Sequence, residues 1–460
     1  MISPKTLAVI LVPVLAVITG LILNANGVSL PIVLTLSITL LTAGWWITEA
    51  LPIPATSLVP FVLFPAAGVL TYQDAALGLG QHVILLLMGG CMIAKGIEKS
   101  NLHERIALGI LQAVGSGSGF RLVFAFMLSS ALLSMWISNT ATCLVLMPIV
   151  LAVLSQINQP RLAIPLVLGV AYACNLGGLG TLVGTPPNLI FAGVYEQISD
   201  AEFGFAKWMK IGLPIVVLGL PLIALWLARG IGRLEHIELP KPANWSPPEV
   251  RVLLVFAVIV FLWVFRLEPF GGWSSLVGFA KAGDSTVALL GVVLMFLIPS
   301  GAKKGDRLLD WESAVDIPWG MLLLFASGLT IAKAFQVSGT AELIGTSLTG
   351  VMSLPPYLLI LSMCLAVSFL TEITSNTATT TLLMPILAAA ASTSNLPIEL
   401  LMIPAAISAS CAFMLPVATA PNAIAYGTGQ VSINAMMREG LILNLILAFI
   451  VSGVCYFALI

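Results

Sequence analysis

Charge is what this sequence lacks most. Only 8% of its 460 residues are Asp, Glu, Lys or Arg, against roughly 25% in a soluble domain. With 59% apolar residues and a mean hydropathy of +1.08, a water-soluble fold is excluded and an all-α polytopic membrane protein is expected. A formal net charge of −1 gives no electrostatic basis for a nucleic-acid partner. Histidine is scarce: His82, His103 and His236 have no metal-ligating neighbour at useful spacing. An enzyme inside the membrane would need an acid–base or metal constellation at one depth, and none is visible. The six cysteines (Cys91, Cys143, Cys174, Cys364, Cys411, Cys455) lie in apolar segments without CxxC spacing, so they read as buried thiols. The first apolar stretch has no clear A-x-A cleavage site and reads as a retained span.

What the chain does have is a repeated polar string. Ser138-Asn139-Thr140-Ala141-Thr142 runs on to Leu146-Met147-Pro148-Ile149, and Ser375-Asn376-Thr377-Ala378-Thr379 runs on to Leu383-Met384-Pro385-Ile386. One such cluster in a membrane helix is ordinarily a helix-packing patch. Two copies, each followed by a helix interrupted by glycine or proline, call for another explanation. Gly177-Gly178-Leu179-Gly180 and Gly184-Thr185-Pro186-Pro187-Asn188 interrupt residues 162–195; Ala418-Thr419-Ala420-Pro421-Asn422 interrupts 400–427.

Spans are expected at residues 7–24, 28–48, 52–70, 81–97, 211–228, 252–265, 285–299 and 440–459. Residues 98–120 suit an amphipathic helix lying in the interface. The windows 122–156 and 356–390 each hold a Ser-Asn-Thr string at the centre, with halves of about 15 residues, short of the roughly 20 a span needs. Re-entrant hairpins follow. The expected domain plan is a first span in 1–27, one repeat in 28–241 and a second in 242–460. Ile93-Ala94-Lys95 recurs as Ile331-Ala332-Lys333. Trp45, Trp46, Trp208 and Trp319 read as interfacial belts.

Charge orients this plan. With two re-entrant hairpins there are about 11 crossings. An N-terminus inside then places Lys5, Lys99, Arg105, Arg121, Arg161, Arg229, Arg233, Lys241, Arg251, Lys303, Lys304, Arg307 and Arg438 on the cytoplasmic side. The acidic turn with Glu196, Asp200 and Glu202 falls outside, as does the C-terminus. An odd number of crossings separates Asn139 from Asn376, so the two halves are inverted repeats. Glu49, Lys95, Lys333 and Glu372 lie in or beside apolar segments. Snorkelling or ion pairing is their ordinary explanation and function the alternative; Glu372, close to Ser375, could tune an ion site or carry a proton.

Inverted repeats with broken helices place a site near the midplane. The clusters offer hydroxyl, amide and carbonyl oxygen without carboxylate–histidine pairs, a set that suits Na⁺ better than a divalent ion. An asparagine can give its carbonyl oxygen to a cation and its NH₂ to an anion. Half-helix N-termini add a preference for the anion.

At these residues the chain resembles the divalent-anion:sodium symporter family, and closely its bacterial INDY-type dicarboxylate transporters, over essentially its whole length. The resemblance implies hairpin tips that hold a C4-dicarboxylate (succinate, fumarate or malate) between two sodium ions. It also implies a homodimer in the inner (cytoplasmic) membrane and an elevator-type movement of a transport domain. Carried onto this sequence, the first Na⁺ site uses Ser134, Ser138, Asn139 and the carbonyl of Gly184. The second uses Thr371, Thr374, Asn376 and the carbonyl of Ala418. Substrate contacts come from Asn139, Thr140, Thr185, Ser375, Asn376, Thr377 and Thr379. Pro186 in the first broken helix is Ala420 in the second. Sodium-independent exchange, or Na⁺-coupled transport of sulfate or a tricarboxylate such as citrate, remain the alternatives.

Overall fold

In the computed structural model, residues 4–156, 159–199, 201–234, 239–268, 271–347, 354–394 and 396–460 are described. Asp200 of the expected outer turn and His236 lie outside that set. Helices make up the described structure, joined by short turns and two isolated bridges. Among the described residues nine helices are long and apolar enough to cross a membrane, and five shorter apolar helices accompany them. One of the nine, Asn139–Gln156, is a hairpin arm.

The same order of elements occurs twice. The first series is His82–Lys99, Leu102–Val114, Gly119–Ser134, Asn139–Gln156, Ala163–Gly177, Pro186–Ser199 and Phe205–Leu227. Its counterparts are Trp319–Ser338, Thr340–Ser347, Pro356–Thr371, Asn376–Ser394, Ile398–Ala409, Ala420–Gly427 and Ile433–Leu459. The last helices of the two series pack together. Arg229 and Trp226, at the end of one, bond Glu439 near the start of the other (2.7 and 2.8 Å), while Gly219 meets Leu447 further along. Residue numbers rise along one as they fall along the other, so equivalent helices run antiparallel. That is the geometry of an inverted repeat.

Polar contacts divide into two groups at opposite ends of the helices. Lys5 pairs with Glu49 (3.3 Å), Lys99 with Asp306 (3.6 Å) and Asp310, and Arg105 with Glu249 (2.8 Å). Arg251 donates to the carbonyl of Pro299 (2.6 Å). At the other ends His82 meets Glu196 (2.5 Å), Arg266 meets Asp284 (2.6 Å) and Glu202, and Lys210 meets Glu268 (2.5 Å).

Two expectations fail for physical reasons, and a third is refined. The window 52–70 is two short helices, Ile53–Thr56 and Val59–Ala66, because Pro52, Pro54, Pro60 and Pro65 restart and break the backbone. The expected amphipathic helix is present as Leu102–Val114, with its apolar side covered by protein: Leu102 and Leu111 are fully buried, and it packs on the first hairpin arm, where Ser129 donates to the carbonyl of Ala107 (3.3 Å). Hydrophobic period alone does not say whether lipid or protein covers a face. Trp46 and Trp208 are fully buried rather than interfacial, with indole N–H groups on Ser57 Oγ (3.2 Å) and the carbonyl of Leu179 (2.8 Å). A buried indole needs such a partner.

Candidate functional site

Each hairpin breaks where its polar string begins. Gly119–Ser134 and Asn139–Gln156 are the arms of the first; Pro356–Thr371 and Asn376–Ser394 are those of the second. Ser138 caps its arm: its carbonyl accepts from the Thr142 N–H (3.0 Å) and its Oγ from the Ala141 N–H (3.1 Å). The Ser375 carbonyl accepts from the Thr379 N–H (2.8 Å) in the same way. Both broken helices are unwound where glycine, proline and threonine interrupt them, and each restarts at a proline-containing turn.

All four restarts face one cavity of about 1100 Å³. Ser138, Asn139 and Thr140 line it from one hairpin and Ser375, Asn376 and Thr377 from the other; Thr185 and Thr419 come from the broken helices. Two of these helix starts belong to arms of 18 and 19 residues. Their free N–H groups and dipoles favour negative charge in the space between them. Glu49, Lys95, Glu98 and Asp316 line the same cavity. A hydrogen bond from Lys95 holds the Asp316 carboxyl below the usual range.

Behind each asparagine lies a small nest of oxygens. Ser134 Oγ is 2.5 Å from Asn139 Oδ1 and 2.5 Å from the carbonyl of Cys174. Thr371 Oγ1 is 2.6 Å from Asn376 Oδ1 and 2.9 Å from the carbonyl of Ala409. A hydroxyl has one proton for two acceptors, so each nest crowds oxygen around too little positive charge. A cation fits that chemistry. Glycine leaves the first nest open: a Cβ on Gly178 would lie 3.1 Å from Asn139 Oδ1 and 3.0 Å from the Gly184 carbonyl. Ser134, Asn139 and Gly184 are thereby brought together, and Ser138 sits at the adjoining tip. In the second half Thr374, Asn376 and Ala418 share the cavity wall. Thr379 is buried behind the lining residue Thr374, to which it is bonded (2.6 Å). Among the described residues no cluster of His, Cys, Asp and Glu offers a transition-metal site.

Sequence reasoning passed over the residues that hold the unwound segments. Asn188 donates to the carbonyls of Gly178 (2.9 Å) and Thr181 (2.7 Å). Asn422 donates to those of Ala412 (3.0 Å) and Leu415 (3.1 Å). Donor and both acceptors repeat at the same spacing in the two halves, so the Pro-Asn common to both strings was the available signal. Asn175 joins the halves, donating to Thr419 Oγ1 (3.0 Å) and Asn422 Oδ1 (3.4 Å). Replacing Asn188 or Asn422 by alanine is expected to lower stability by about 1–3 kcal/mol, since buried carbonyls lose their donors. Thermal unfolding in detergent measures this, and an unchanged melting temperature would remove the clasp role.

Glu372 is a second clasp. Its carboxylate accepts from the backbone N–H of Phe413 (2.7 Å), Met414 (2.9 Å) and Leu415 (3.0 Å), and from Asn444 Nδ2 (2.7 Å). Its repeat counterpart is Met135, whose carbonyl instead accepts from Thr181 Oγ1.

The citrate transporter family model matches residues 43–400. The sodium-dependent dicarboxylate transporter SdcS of Staphylococcus saprophyticus is 40% identical over 98% of this chain and 91% of that protein. SdcS of Staphylococcus aureus USA300 is 38% identical over 99% and 91%. Among solved structures, the YdaH transporter of Alcanivorax borkumensis shares the fold, with a TM-score of 0.59 at 14% identity over 91% of this chain and 97% of that one. MtrF of Neisseria gonorrhoeae gives 0.58 at 14% identity over 84% and 82%. The match over most of the chain and the full-length relatives settle the kinship: this chain belongs to the citrate transporter family, is kin to the sodium-dependent dicarboxylate transporters, and is a membrane transporter rather than an enzyme.

Proposed function

We propose that this protein imports C4-dicarboxylates such as succinate, fumarate or malate, coupled to Na⁺. One observation carries the reading: two hairpin tips and two unwound helices bring amide, hydroxyl and helix N-termini to one cavity, with an oxygen nest behind each tip. Asn139, Thr140, Thr185, Ser375, Asn376 and Thr377 hold the carboxylates; Thr379 acts through Thr374. Ser134, Ser138, Asn139 and the Gly184 carbonyl bind one Na⁺. Thr371, Thr374, Asn376 and the Ala418 carbonyl bind the other. Coupling answers an energetic need. A dianion entering an inside-negative cell is opposed by about 4.6 kcal/mol per 100 mV, which two Na⁺ cancel and three overcome.

The basic contact group, which includes Lys5, Lys99, Arg105 and Arg229, marks the cytoplasmic face of the inner membrane. The N-terminus is then inside, the C-terminus outside, and the cavity is open inward. Repeat one spans 28–241 and repeat two 242–460, after a first span in 1–27. The hairpins, broken helices and the helices after them form a body that moves, elevator-fashion, against the rest of a homodimer.

Radiolabelled succinate uptake into proteoliposomes under an imposed Na⁺ or H⁺ gradient tests this. Uptake driven as well by K⁺ would sink the sodium coupling, and H⁺-driven uptake would point to a proton-linked carrier. Citrate is the second reading, favoured by the family model; unlabelled citrate competing better than succinate would establish it.

A further inference from the structure

Ile93-Ala94-Lys95 and Ile331-Ala332-Lys333 lie toward the ends of equivalent helices, His82–Lys99 and Trp319–Ser338. Lys95 reaches Asp316, just ahead of the second helix, at 2.8 Å. Gln81, just ahead of the first helix, shares a small cavity with Thr330 and Lys333 near the end of the second. The helices are therefore antiparallel, and their lysines face opposite sides of the protein.

Their surroundings are also related. Among the described residues lining the large cavity Lys95 is the one cation, held by Asp316 and, at 3.2 Å, by Glu98. Lys333 lies in a small cavity of about 100 Å³ with Asp74 and Gln197. Each lysine thus shares its cavity with an aspartate from the segment ahead of the other's helix. Lys333, half-buried like Lys95, differs in having no ion pair and no hydrogen bond among the described residues. An unmatched ammonium in an apolar helix is costly and calls for an anion. Gln197, in the last turn of the first broken helix, lines the same cavity; its side chain donates to the carbonyl of Leu329 (3.2 Å) and its backbone carbonyl accepts from Gln336 (3.3 Å). Displacement of that helix would remove Gln197 from the wall of the cavity that Lys333 lines.

We propose that Lys95 and Lys333 are a paired set of carboxylate-receiving groups, Lys95 meeting the dicarboxylate at the face open here and Lys333 meeting it at the opposite face. The inference rests on the transporter reading and deepens it: neither lysine belongs to the central site, and each acts on one side only. Coulombic attraction to a dianion at a partly hydrated rim is worth enough to shift half-saturation without altering the central chemistry.

Succinate transport measured in right-side-out and inside-out membrane vesicles reads the two faces separately. For Lys333→Gln, KM is expected to rise about fivefold for succinate offered at the Lys333 face and to stay within about twofold at the other. Lys95→Gln should show the reverse. Lys333→Arg and Lys95→Arg should restore each value, and Lys333→Met should match Lys333→Gln, which separates charge from packing. Equal KM shifts at both faces, no shift at either, or no rescue by arginine would overturn the proposal. Wild-type Na⁺ dependence in the same vesicles judges the transporter reading by itself: its loss would end that reading, whereas a wild type that is Na⁺-driven with unsided variants would end only this one.

Discussion

Asn139→Ala and Asn376→Ala should each reduce Na⁺-driven succinate uptake by about 100-fold and raise the Na⁺ concentration for half-maximal rate. Each amide oxygen faces a hydroxyl at 2.5 or 2.6 Å, while the same residue lines the cavity from the first turn of its arm. Truncation removes a cation ligand and an anion donor together. Two charge-assisted contacts at about 1.5 kcal/mol each amount to roughly 3 kcal/mol, which is about two powers of ten. Aspartate separates the roles. Asn139→Asp keeps the oxygen for Na⁺ but sets a negative charge against the dianion, so Na⁺ binding should survive while succinate binding is lost. Isothermal titration of purified protein with each ligand distinguishes them, and wild-type Na⁺ dependence in either alanine variant would refute the shared role.

Glu372→Gln is the second change with a large effect. Glutamine turns an NH₂ toward a cradle made of N–H donors, leaving at least one buried donor unpaired; Glu372→Ala abandons three backbone N–H groups and Asn444. At about 1–3 kcal/mol for each of these four orphaned groups, alanine costs at least about 4 kcal/mol, a large share of a typical stability. Both variants should lose uptake and unfold at lower temperature, alanine more than glutamine. The alternative in which Glu372 carries a proton makes a different forecast: Glu372→Gln would keep its melting temperature and lose only coupling.

Much of this site was legible because its makers repeat. The Ser-Asn-Thr strings and their offset located both hairpins, whose arms begin and end within a few residues of the expected windows. Charge parity gave the inversion now visible in the antiparallel Phe205–Leu227 and Ile433–Leu459. The clasps were harder to see. Asn188 and Asn422 act on carbonyls of their own unwound segments, and nothing in a helical or alternating period marks such a contact. Glu372 has no acidic counterpart in the first half, so a search by repetition passes over it. Trp208 misled for a related reason: an aromatic at the start of a span looks alike whether the neighbouring surface is lipid headgroup or the Leu179 carbonyl.

Several bonds of the first half close only on residues more than 200 positions later. Tyr172 donates to the carbonyl of Phe413, Asn175 to Thr419, and Trp226 and Arg229 to Glu439. During synthesis the first broken helix therefore enters the bilayer with its tyrosine hydroxyl and asparagine amide lacking their eventual acceptors, and it waits for the second half to be made. Insertion and tertiary closure are separate events in this chain. A nascent protein halted after Leu227 would sit in the membrane with these polar groups uncommitted.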